Sequence, residues 1–245
     1  MTNIEQNQHI CPRFGALSIV IGILVASWVF ILSGAGTGMD VLKMSILNFP
    51  SASPKMSMEA KTWPIFYALS IGMMWWVMMI AMMLPGVLEK VSRLSSPNAM
   101  KVMAGYAVPW LFFSGGVTLF QFAAEQAGWM QSQMMVSIHP FFSAVLFFFA
   151  GLYQLSPAKQ SRLAHCRQER VEQGSIYAGR ALGWDCVLNS TPLMLLLFVG
   201  GVMNLYWIVG LTLLNLMERL LPLPGLISRA VGSFCLIAGI LLLLI

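Results

Sequence analysis

Long uncharged apolar runs recur along this 245-residue chain, separated by short segments that carry most of its charge. An α-helix rises about 1.5 Å per residue, so about 20 apolar residues cross the ~30 Å hydrocarbon layer of a bilayer. Four such runs are Phe14 to Leu32, Pro64 to Leu84, Met103 to Ala124 and Ile138 to Leu155. Gly183 to Met217 is too long for one crossing and slightly short for two, and its one charge is Asp185. The Gly200-Gly201 pair, followed by Asn204, offers a tight turn there, which predicts two helices joined by a hairpin. Leu226 to Ile245 closes the series. The pattern predicts an all-α, polytopic bundle of seven transmembrane spans, or six if Gly183 to Met217 is one long tilted helix. No stretch is long and polar enough for a separate water-soluble unit, so 1–245 reads as a single integral membrane domain.

Composition agrees. Only 9% of residues are charged and 58% are apolar, whereas soluble domains carry roughly 25% charged residues. So little charge cannot cover a water-facing surface, which excludes a soluble enzyme and a disordered chain. The net charge of +5 therefore reflects loop bias and not a nucleic-acid partner; the surrounding phase is membrane lipid. With the N-terminus cytoplasmic, the inner side receives Arg13, Lys90, Arg93, Lys101, Lys159, Arg162, Arg167, Arg170, Arg180, Arg219 and Arg229. Only Lys43, Lys55 and Lys61 fall outside. The first run is longer than the apolar part of a signal peptide and reads as a retained anchor. The location this implies is the bacterial cytoplasmic membrane. Two loops have content: Gly34 to Trp63, outside, with Met39, Met44, Met56 and Met58, and Ser156 to Gly179, inside and basic.

The second span concentrates the candidate chemistry. Six methionines fall between Met73 and Met83. Met74, Met78 and Met82 are four apart and make one helical stripe, with Met79 and Met83 beside it. Thioethers are soft, uncharged ligands that favour Cu(I) over hard cations. A ladder of them can carry a soft monovalent ion through lipid without a fixed counter-charge. The alternative is packing, because methionine fills cores adaptably. Trp75 and Trp76 sit mid-span and pack the bundle.

Glu125 ends the third span, on one face with Gln121 and Thr118. A carboxylate at membrane depth faces a cavity or partner more often than lipid; the plainer reading is a boundary charge in the headgroup layer. His139 opens the fourth span on the same side, four residues after Met135. Imidazole, thioether and carboxylate together would suit copper capture. Inside, His165-Cys166 lies among arginines that favour a thiolate, and Cys186 follows Asp185 at the start of the fifth span. Met203 and Asn204 continue the soft and polar groups, while Cys11 and Cys235 have no ligand-like neighbours. The chain has no phosphate-binding Walker loop, no His-Glu-x-x-His pair and no assembled Ser-His-Asp set, so neither an ATP-driven pump nor a hydrolase is indicated.

The run Met-Trp-Trp-Val-Met-Met-Ile-Ala-Met-Met-Leu-Pro, Met74 to Pro85, resembles the signature of a bacterial family of predicted metal-binding integral membrane proteins. So do Gly105-Tyr106 with Pro109-Trp110, the stretch Gly151 to Pro157 followed by Lys159 and His165-Cys166, and Phe198 to Leu205. The resemblance implies copper handling, including delivery of copper to a secreted or membrane copper enzyme. Residue by residue it points to Met74, Met78, Met79, Met82, Met83, His165, Cys166, Cys186 and Met203. Where the family often has a Cys-Cys step, this chain has Asp185-Cys186, which implies a harder or weaker site there. The leading expectation is thus a membrane protein that binds and delivers or translocates copper, as Cu(I), without catalysis. The other is a non-catalytic accessory subunit of a larger membrane complex whose methionines only pack.

Overall fold

The computed structural model describes residues 3–34, 45, 63–132, 135–168, 174–221 and 224–244, with side chains described from residue 15 onward except at 165–168 and 224. The methionines of the 34–63 loop lie outside the described residues, as do the side chains of Cys11, His165 and Cys166. The described chain is helical: α1 (Asn3–Leu32), α2 (Ile65–Met83), α3 (Leu88–Ser92), α4 (Ser96–Gln126), α5 (Pro140–Leu155), α6 (Pro157–Gln168), α7 (Ile176–Leu195), α8 (Leu197–Gly200), α9 (Leu205–Leu220) and α10 (Pro224–Leu244). A two-residue hairpin, β1 (Met130–Gln131) against β2 (Val136–Ser137), links α4 to α5.

Local chemistry sets the ends. Pro85 cannot continue the α2 ladder, and the chain tightens there into a 3₁₀ turn, Leu84–Val87. Ser175 accepts from the Ala178 amide (3.1 Å) and starts α7. Asn204 accepts from the Tyr206 amide (3.1 Å) and starts α9. Between them Gly201 adopts φ 93°, a conformation that glycine takes without strain. The 183–217 stretch therefore breaks where its glycine pair predicts, and the single-helix alternative is excluded.

Among the described residues five helical segments are long and apolar enough to cross a membrane, or six if the bent pair Pro140–Leu155 and Pro157–Ala164, at 61°, counts as one span. Each predicted run falls on a helix, but α9 has 16 residues, about 24 Å, and falls short of a full crossing. The 156–179 segment also differs from expectation: residues 157–168 are helix α6, bent back against the bundle.

Apolar side chains cover the outside, with Phe66, Leu119 and Phe141 at 81%, 71% and 71% exposure. Charged ones are sealed inside, among them Lys159 and Glu218 at 0%. This inversion suits a hydrocarbon surround, where apolar surface has no reason to hide and polar groups must find partners within the protein. Small residues bring the helices close. A Cβ on Gly183 of α7 would lie 2.9 Å from the Tyr106 carbonyl oxygen of α4. A Cβ on Gly151 of α5 would lie 2.9 Å from the Gly232 carbonyl oxygen of α10. Pro192 leaves the Leu188 carbonyl without its helical donor, and the Tyr153 hydroxyl supplies one at 2.8 Å. Helix α2 packs against α1, α4 and α9 and so forms the spine of the site.

Candidate functional site

The five stripe methionines of α2 all point into the protein. Met74, Met78, Met79, Met82 and Met83 are 0–2% exposed, while Met73, one position off the stripe, is 49% exposed. Trp75, also sealed, donates its indole N–H to Gln121 Oε1 (2.9 Å), and Trp76 donates to the Ala107 carbonyl (3.0 Å). Both tryptophans pack and hydrogen-bond within the bundle.

Each end of the stripe meets a polar cluster. At the Trp75 end, Gln121 Nε2 donates to Glu125 Oε1 (3.0 Å). Glu125 Oε2 accepts from the Trp63 indole (3.1 Å) and from Ser132 Oγ (2.8 Å) of the hairpin. Glu125 is therefore a buried carboxylate held by three neutral donors, and not a boundary charge in water. His139 stands apart: it is exposed, immediately precedes α5, and no hydrogen bond or ion pair joins it to Glu125 among the described residues. Met203 is buried in the turn before α9, where the neighbouring Val202 amide donates to the Met135 carbonyl (3.3 Å).

At the other end, about 12 Å along the helix, Met83 Sδ accepts from Asn215 Nδ2 (2.6 Å). Asn215 also donates to Ser190 Oγ (3.0 Å) and accepts from Arg219 Nε (3.2 Å). Arg219 Nη1 donates to Cys186 Sγ (2.8 Å) and Nη2 to Ser190 Oγ (3.2 Å). Two of the sulfurs proposed from sequence, Met83 and Cys186, thus belong to one connected network on α2, α7 and α9. The Tyr106 hydroxyl faces Cys186 and Trp110, yet neither it nor the Trp110 indole N–H makes a hydrogen bond of ordinary geometry. Gly86 leaves the space that the Arg219 stem fills: a Cβ there would lie 2.8 Å from Arg219 Cδ.

A second network backs onto the first. Lys159 Nζ donates to Glu218 Oε2 (2.8 Å) and to the Asn189 carbonyl (3.0 Å). Glu218 Oε1 accepts from Gln154 Nε2 (2.7 Å). Because Asn189 precedes Ser190 and Glu218 precedes Arg219, the two networks form one buried polar layer across the bundle. Counting basic residues assigns Lys159 and Arg219 to cytoplasmic loops; both are instead internal. The signal that would have found Arg219 is the Asn215, Glu218, Arg219 spacing, which puts three polar groups on one face of α9.

No three His, Cys, Asp or Glu side chains converge on a metal position among the described residues. The soft donors that the structure gathers are sulfurs. A family model described as a copper chaperone, PpoB2, matches residues 72–242. The chain belongs to the PpoB2 copper chaperone family. No curated protein and no solved structure matches the chain. A copper chaperone carries metal and does not transform a substrate, so membership implies copper as cargo and a client that receives it. The matched span contains the whole stripe, Glu125, the Cys186–Arg219 network and the Lys159–Glu218 pair. The motifs through which the chain resembles its family also build this interior. Gly105 and Pro109 shape the α4–α7 contact, Gln154 holds Glu218, and Gly200 seats the Trp207 ring.

Proposed function

We propose that this copper chaperone holds Cu(I) on the thioether stripe of α2 and passes it along that helix between its two polar ends, with no catalysis of its own. The observation that carries the reading is the selective burial of the stripe. A lipid-facing stripe could not hold an ion within the protein, whereas here Met74, Met78, Met79, Met82 and Met83 are inward and Met73 is outward; core packing would bury them too, and the leucine variant below separates the two. Soft, neutral donors bind Cu(I) without placing an uncompensated anion in a low-dielectric interior. With the N-terminus cytoplasmic, Glu125 and His139 lie at the outer end, and Cys186, with His165 and Cys166, at the inner end. The membrane is then the bacterial cytoplasmic membrane and the client a copper enzyme.

Leucine replaces methionine at nearly constant volume, at a cost usually under ~1.5 kcal/mol per site. The variant Met74→Leu, Met78→Leu, Met82→Leu should therefore purify folded from membranes but with much less Cu(I) per chain. Unchanged copper content would leave the stripe as packing and favour an accessory role in a larger complex.

A further inference from the structure

We propose that Met83 and Cys186 form a second soft-metal site, and that Asn215 and Arg219 hold the place of the metal there until it arrives. The inference rests on the copper reading above and shares Met83 with the stripe, but it does not rest on Met74, Met78 or Met82. Both sulfurs are fully buried, and each has a lone pair engaged by an N–H from α9: Asn215 on Met83 at 2.6 Å and Arg219 on Cys186 at 2.8 Å. Residues four apart on a helix lie one above the other, so a single face of α9 addresses both sulfurs. Sulfur is a weak acceptor. A guanidinium aimed at a buried thiol in a copper-binding family is thus a cation standing where a soft cation would bind.

The surroundings fit an exchange. Arg219 is held independently of the sulfur, by Nε on Asn215 Oδ1 (3.2 Å) and Nη2 on Ser190 Oγ (3.2 Å). A small rotation can lift Nη1 from Cys186 while those two contacts keep the charge solvated. The Tyr106 hydroxyl, fully buried beside Cys186, can orient the sulfur once Arg219 moves. Cu(I) here would meet one cysteine and one thioether, a stronger donor set than thioethers alone. The site is accordingly the terminus of the stripe and not another step along it.

Anaerobic Cu(I) competition against a chromophoric chelator, on the full-length protein in detergent, tests this. Cys186→Ser should remove one equivalent of tightly bound Cu(I). Measured at alkaline pH, where the thiol is ionised with or without a neighbouring guanidinium, Arg219→Gln should bind that equivalent at least about tenfold more tightly, because it removes a like charge from the metal's position. In the Cys186→Ser background Arg219→Gln should change nothing. Should Arg219→Gln not fold, Asn215→Leu serves instead. By freeing the Met83 sulfur from its N–H donor it should tighten the same equivalent several-fold. A Cys186→Ser protein with unaltered stoichiometry, or an Arg219→Gln protein that binds more weakly with Cys186 present, overturns the place-holder role. The triple-leucine stripe variant, measured alongside, separates the two ideas. It should retain the Cys186 equivalent, and loss confined to either variant condemns only the site that variant leaves intact.

Discussion

Replacing Lys159 by methionine would leave the Glu218 carboxylate inside the bundle without its cation, with Gln154 still donating at 2.7 Å. Both partners of the pair are 0% exposed and 2.8 Å apart, so solvent cannot take over the lost interaction. Removing one member of a buried pair costs about 3–5 kcal/mol, whereas replacing both with apolar groups is often close to neutral. Lys159→Met and Glu218→Met should each destabilise by that amount, or about 6–10 kcal/mol if the two effects simply added. The double variant gives up the Lys159 bond to the Asn189 carbonyl and the Gln154 bond to Glu218, each worth about 1 kcal/mol. It should therefore sit within about 2 kcal/mol of the parent, a coupling of at least about 4 kcal/mol. Thermal melting in detergent, followed by size-exclusion recovery, orders the four proteins. A double variant less stable than either single one would refute the claim that these charges exist for each other, and with it the pinning of α6 to α9.

The α4–α7 contact predicts that Gly179→Val, whose Cβ would meet the Val102 carbonyl, lowers the melting temperature by overpacking worth at least ~2 kcal/mol. Gly115→Ala, where a Cβ meets nothing within 4 Å, should leave it unchanged. Reporter fusions after Ser95 and after Gly174 should read cytoplasmic and one after Ser53 external; an external signal at Gly174 would exchange the two ends of the proposed path.

What the sequence makes legible here follows from where its information is local. Apolar runs and the Gly200-Gly201 break are properties of adjacent residues, and each reappears at its position in the fold. The inward stripe is legible because a four-residue period puts Met74, Met78 and Met82 on one face whatever that face meets. The Gln121–Glu125 contact is legible for the same reason. The polar layer is different. Lys159 and Glu218 are far apart in the chain and meet only because α5 and α6 are bent 61° apart, an angle that no single residue announces. Arg219 follows the same logic: near the end of an apolar run it resembles an interfacial charge, and only the packing of α9 against α2 and α7 carries it to Cys186. His139 shows the converse, since proximity to Met135 in sequence gave its imidazole no hydrogen-bond partner among the described residues.

X-ray absorption at the copper edge addresses the stripe most directly. It should be recorded on Cu(I)-loaded Cys186→Ser protein with Cys11, Cys166 and Cys235 also changed to serine, so that no thiolate contributes. The account predicts a bound Cu(I) ion whose nearest shell is sulfur throughout, as the thioethers of α2 would supply, and its disappearance in the triple-leucine variant. A shell of nitrogen and oxygen, or copper retained after the three leucine changes, would contradict it.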